Sequence, residues 1–189
     1  MTTTQDGSLV HYLATILLSA VVVFVASSVI HMVLTYHKSD YQKLPNEGKI
    51  LDALRGESIA PGTYFFPHAT SKEMGMPEVQ EKFKRGPVGI LTMRPSGPPT
   101  MGKNLVQWFV YCLVVGIFVA YLTSHTVEPG ASYLAVFRVA GTVAFLAYAG
   151  SIAQDAIWMG QPWSTTLKSM FDGLVYGLLT AGVFGWLWK

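Results

Sequence analysis

Apolar residues in this chain gather into four long runs, Leu9–Tyr36, Leu105–Ser124, Ser132–Ile157 and Leu167–Trp188. A helix needs about 20 mostly apolar residues to cross the hydrocarbon core of a bilayer, and each run has that length. The pattern predicts an all-α membrane protein of four transmembrane helices. One polar stretch is far longer than the others and divides the first run from the second. It predicts a small cytoplasmic α/β insert. The expected organisation is residues 1–36 as an outer tail and transmembrane helix 1, residues 37–103 as the insert, and residues 104–189 as transmembrane helices 2–4.

Within the insert the punctuation is local. Pro45 suits a first helical turn and Gly56 the position past a helix end. Ile50 and Leu54 are four apart, with Leu51 beside them, which predicts one apolar face. Pro61-Gly62 marks a turn, and Thr63–Phe66 is a short β-prone run. Pro77 and Gly86 bracket a second helix, with Val79 and Phe83 on one face. Val88–Met93 is a second β-prone run, and the Pro-Gly-rich stretch Pro95–Pro99 stops regular structure. A segment this short and this polar has a marginal core by itself, so it is expected to pack on the membrane surface or on a partner.

Charge sets the orientation. Ten of the thirteen Lys and Arg residues lie between Lys38 and Lys103. Bases collect on the cytoplasmic side of a membrane, which predicts residues 37–103 in the cytoplasm and both termini outside. The tail Met1–Val10 lacks Lys and Arg, and the run after it is too long for a signal-peptide core, so no cleaved signal is expected. Charged residues are 13% of the chain, against about 25% in soluble domains. The net charge of +2 gives no argument for nucleic acid. Cys112 is the single cysteine, which excludes an internal disulfide and a CxxC motif.

Small residues recur every four positions in the last run, at Gly173, Gly177, Ala181 and Gly185. That spacing lets helix backbones approach closely. Ala140, Ala144, Ala147 and Ser151 form a similar face in the third run. The two faces predict either a contact within the chain or self-association and contact with a membrane-protein partner. Ser164 is a plausible N-cap for the last helix. Lys82, Lys84 and Arg85 load the last turn of the second insert helix. They favour the helix dipole there, and they also suit anionic lipid or a partner.

No catalytic motif emerges. Gly97–Lys103 matches the GxxxxGK pattern of a phosphate loop, but Pro98 and Pro99 lack the N–H groups such a loop aims at phosphate. Asn104 stands where Ser or Thr would hold magnesium. Three ionisable residues inside the runs are candidates for an ion or proton site, namely His31, Asp172 and Arg138. His31 and Asp172 are at similar depth near the inner side, with Asp155 closing the third run. Arg138 is about two turns in from the outer side, near His125 and Glu128, where a structural ion pair or snorkelling is the competing reading. Haem would need two facing axial ligands. His11 and His125 are outer and His31 and His37 inner, but no pair has motif spacing. His68, with Met74 and Met76 nearby, gives only a faint copper signal. No cofactor and no metal is expected.

The segments Lys84–Gly89, Trp108–Cys112, Tyr133–Thr142 and the closing Gly185-Trp-Leu-Trp188 resemble a group of small bacterial inner-membrane proteins with no assigned reaction. The resemblance covers most of the chain and implies a bacterial inner membrane, with no site residues. The expected function is non-enzymatic: an accessory, assembly or scaffold subunit of a membrane complex. The alternative is a small ion- or proton-coupled transporter using His31, Asp172 and Arg138. A second alternative is a haem- or metal-binding redox subunit.

Overall fold

The computed structural model describes residues 3–188, with side chains from Val10 onward. It divides into two units, Gln42–Pro99 and the remainder of the chain. The first helix, α1 (Thr3–Met32), is followed by a 3-10 turn at Tyr36–Ser39. The unit Gln42–Pro99 holds α2 (Glu47–Gly56), β1 (Gly62–Phe66), α3 (Pro77–Arg85) and β2 (Gly89–Met93). Then come α4 (Met101–Thr126), α5 (Tyr133–Ala149), α6 (Ala153–Met159) and α7 (Trp163–Leu187). Four segments are long and apolar enough to cross a membrane: Val10–Met32, Met101–Thr126, Tyr133–Met159 and Trp163–Leu187.

The larger unit is an antiparallel four-helix bundle in which α1 touches α4, α4 touches α5, α5 touches α7, and α7 returns to α1. The closest seam joins α5 to α7. A Cβ on Gly173 would stand 2.7 Å from the Ala149 Cβ and 3.0 Å from Tyr148 backbone atoms. One on Gly177 would stand 3.0 Å from the Phe145 nitrogen, and one on Gly185 2.7 Å from the Tyr133 ring. Ala181 meets Gly141 on the same line. The predicted small-residue face is therefore filled by α5 of the same chain. Of the matching face on α5, Ala140 and Ala144 are fully buried, Ala147 is half-buried and Ser151 is exposed. Outward, α1 presents Leu13, Leu17, Val21, Val25 and Val29, each at least 40% exposed. An apolar stripe of that length is foreign to a surface facing water.

The smaller unit matches its predicted elements. Its strands pair antiparallel with Tyr64 opposite Leu91, Pro77 opens α3, and Gly86 ends it at a φ of 62°. No residue of Gln42–Pro99 is buried, which is the marginal core its composition implies.

Several expectations need correction. The first run leaves the helix after Met32 rather than Tyr36, and residues 37–41 and 100–103, expected in the insert, group with the bundle. In the turn, the His37 and Asp40 side chains reach partners on α7. The third run breaks between Ala149 and Ala153, where a Cβ on Gly150 would collide with the Leu146 carbonyl at 2.6 Å. Ser164 is not the cap of α7. That helix starts at Trp163 behind Pro162 and has no side-chain cap bond. Pro45 stands ahead of α2, which begins at Glu47 after Asn46. Met1, Thr2 and Lys189, parts of the expected outer termini, lie outside the described residues.

Candidate cation site at one end of the bundle

Helix α7 carries two different faces. Beside its glycine seam, Thr165, Lys168, Asp172 and Tyr176 follow a helical spacing and meet the end of α1 and the turn after it. Lys168 pins that turn. Its Nζ donates to the Tyr36 carbonyl at 2.8 Å, to Ser39 Oγ at 2.8 Å and to Asp40 Oδ1 at 2.7 Å. An ammonium has three protons, so Lys168 is fully used.

With the turn so held, its side chains close over Asp172, one helical turn along. Tyr36 donates its phenol proton to Asp172 Oδ1. His37 Nε2 stands 2.8 Å from Asp172 Oδ2, and its Nδ1 stands 2.6 Å from Asp40 Oδ2. His31 Nε2 lies 3.9 Å from the same Asp172 Oδ2 and 3.4 Å from the Tyr176 hydroxyl. The two imidazole rings are 4.7 Å apart between centroids. Asp172 and Asp40 are 3% and 5% exposed at the side chain, while His31 is 52% exposed. Lys168, then His37, hold the Asp40 carboxyl below the usual carboxylate range through their hydrogen bonds. Burial and the bond to Asp172 push the Tyr36 phenol up, so it stays a donor.

Proton counting shows what this arrangement requires. A neutral imidazole has one N–H and one lone pair. Both nitrogens of His37 face carboxylate oxygens at hydrogen-bond distance. If Nδ1–H donates to Asp40, the Nε2 lone pair faces the lone pairs of Asp172 at 2.8 Å. That contact is repulsive unless the two atoms share a proton or open slightly around another cation. Charge gives the same answer. With neutral imidazoles, Asp40, Asp172 and Lys168 sum to one negative charge in a mostly buried cluster, and uncompensated buried charge is costly.

His31 and Asp172 also line a cavity of about 520 Å3, together with Trp108, Tyr148, Ile152 and Tyr176. Its aromatic wall is well ordered by contacts: Trp108 Nε1 donates to Ser27 Oγ at 2.8 Å, and the Trp108 and Tyr176 rings lie 5.8 Å apart. Access to Asp172 is thus from the side of His31.

The predicted site residues divide sharply. His31 and Asp172 are brought together. Arg138 is not: it is exposed near the start of α5, and no side-chain ion pair to it occurs among the described residues. The antiparallel α5–α7 register places it near Ala181 and Gly185, at the far end from Asp172. Asp155 is exposed on α6 and stands apart from the cluster. His11 bonds the Leu187 carbonyl, and His125 bonds the Tyr121 carbonyl at 2.7 Å. The closeness of the His31 and His37 rings leaves no room for a macrocycle between them, which removes them as a haem pair. His68, Met74 and Met76 are all exposed. Lys82, Lys84 and Arg85 are exposed at the end of α3, with Lys84 only 3.9 Å from Glu81.

Tyr36, His37 and Asp40 were the residues missed as a group. Their string reads as an interfacial anchor, and only the 3-10 turn folds them back. One signal was present: Lys168 and Asp172, four apart, are the only charges in a long apolar run, and Asp40 follows His37 at a spacing of three. Comparison of the chain with protein-family models, curated proteins and solved structures returned no match.

Proposed function

We propose that this is an integral membrane protein that binds and releases a cation at the His31–His37–Asp172 cluster, as a small cation carrier. The observation that carries the reading is His37 between two carboxylates, an arrangement that a proton or a metal ion at Nε2 satisfies. Four helices of spanning length and the outward apolar stripe of α1 support the membrane setting. The base-rich segment after α1 supports an orientation with residues 37–103 in the cytoplasm and both termini outside. In this reading His31 and Asp172 hold the cation, and Arg138 has no part in the site. An accessory or scaffold role would need a surface other than the glycine face, which α5 occupies.

Purified protein in liposomes tests this, using a trapped pH-sensitive dye and, separately, a trapped dye for divalent ions. Wild type should relax at least one imposed gradient several-fold faster than protein-free liposomes. Asp172→Asn should abolish the excess rate, and Arg138→Gln should retain it. Wild type that moves neither ion overturns the carrier reading.

A further inference from the structure

We infer that the cation at this cluster is a divalent transition-metal ion, held by His31 Nε2, His37 Nε2 and Asp172 Oδ2, with its open coordination positions turned to the aromatic cavity. The inference rests on the cation reading above and names the ion class.

Three observations converge. The first is ligand spacing. The three atoms lie within 4.8 Å of one another. Zinc-like ions hold imidazole nitrogen and carboxylate oxygen at about 2.0–2.2 Å, so two ligands of one ion stand about 3.0–3.5 Å apart. The distances of 2.8 Å and 3.9 Å to Asp172 Oδ2 bracket that range. His31 must close in, for which its ring has room at 52% exposure, and the His37–Asp172 contact must open slightly.

The second is the support behind the ligands. A metal-binding histidine usually donates its other N–H to a carboxylate, which sets the tautomer and orients the ring. His37 Nδ1 has Asp40 at 2.6 Å for that purpose, and Asp40 is itself held by Lys168 at 2.7 Å. Tyr36 occupies Asp172 Oδ1, which leaves Oδ2 for the ion. A purely structural ion pair would not need this chain of orienting contacts on the far side of His37.

The third is the donor set and its open side. Two imidazoles and one carboxylate suit borderline ions such as Zn2+, Fe2+ or Co2+ better than Mg2+ or Ca2+, which prefer all-oxygen ligands. Structural zinc sites are closed by four protein ligands, whereas working sites keep a position open. Here three protein ligands meet, and His31 and Asp172 line the cavity of about 520 Å3. A divalent ion would change the cluster from one net negative to one net positive charge. The open position then favours water, hydroxide or an anionic ligand entering through the cavity.

The test is Co2+ binding to the metal-stripped full chain in detergent, read by visible absorption and by metal content after gel filtration. The expected result is one Co2+ per chain, displaced by Zn2+. His31→Ala and Asp172→Asn should each weaken binding at least about tenfold, and Asp40→Asn should weaken it by about 10- to 100-fold through loss of ring orientation. His68→Ala should bind as wild type. His31 is half exposed, so its substitution leaves the fold intact, and the helical circular dichroism of each variant checks this. Absence of stoichiometric Co2+ binding, or binding unchanged in folded His31→Ala, overturns the inference. Proton flux without Co2+ binding would sink the metal and spare the carrier. Co2+ binding without flux of any ion would do the reverse.

Discussion

The bundle and the insert hold charge in opposite ways. The insert carries most of the bases, yet its ion pairs are surface pairs: Arg55–Asp52 is 69% and 76% exposed, and Lys84–Glu81 is 73% and 63% exposed. The bundle has few charges, and four of its ionisable side chains, His37, Asp40, Lys168 and Asp172, interlock at exposures between 3% and 26%. Water screens the first kind, so each pair contributes little. The second kind is shielded, so each member depends on the others. The density of charge along a sequence is therefore a poor guide to a site, and the scarcity of charge around a residue is a better one.

Three substitutions of charged residues would break or sharpen this contrast. Asp172→Asn should have the largest effect, because it removes the one carboxylate that Tyr36, His31 and His37 share. Cation flux and Co2+ binding should both be lost while circular dichroism stays helical. Lys168→Met comes next. It releases the Tyr36 carbonyl, Ser39 and Asp40 together, so the turn Tyr36–Ser39 should loosen and the melting temperature should fall. Lys84→Met in the insert should leave the melt unchanged. An equal response to the two would erase the distinction between the regions.

Glycine substitutions probe packing in the same two regions. Gly173→Ala should destabilise the bundle by about 1–3 kcal/mol in a denaturation series, as overpacking does, since its Cβ would meet Ala149 and Tyr148 at 2.7–3.0 Å. Gly48 in α2 has nothing within 4 Å of its would-be Cβ. Gly48→Ala should stabilise the insert by about 0.5 kcal/mol through reduced freedom of the unfolded chain.

The smallest effect expected is one of pH in the insert. Thr70 N–H and Oγ1 donate to Glu73 Oε2 at 2.8 and 2.7 Å, and they lower its carboxyl below the ordinary value of 4.5. A lowered folded value means the contact stabilises above pH 4.5 and is lost as pH falls through the folded value. The protection of the Thr70 amide, its exchange rate relative to the intrinsic rate at each pH, should fall over that interval, and Glu73→Gln should abolish the dependence.

Much of the fold was legible because its causes are local or periodic. Pro77 and Gly86 mark α3 through backbone geometry that needs no neighbour. The glycine repeat on α7 announced a close seam, although only the structure shows that α5 fills it. The candidate site was half legible. His31 and Asp172 stand out because a polar group in an apolar run is costly. Arg138 stands out by the same rule and is bare, since depth along a run does not say what surrounds a side chain.

The sequence by itself determined the number of apolar spans, the elements of the insert and the polarity of its surface. These follow from hydrophobic runs, turn residues and charge, each read over a few neighbouring positions. Only the tertiary structure decided that Tyr36, His37 and Asp40 turn back from the end of α1 onto Lys168 and Asp172, more than 120 residues later in the chain. That decision belongs to hydrogen bonds between distant groups, whose strength depends on burial and geometry that no local pattern encodes.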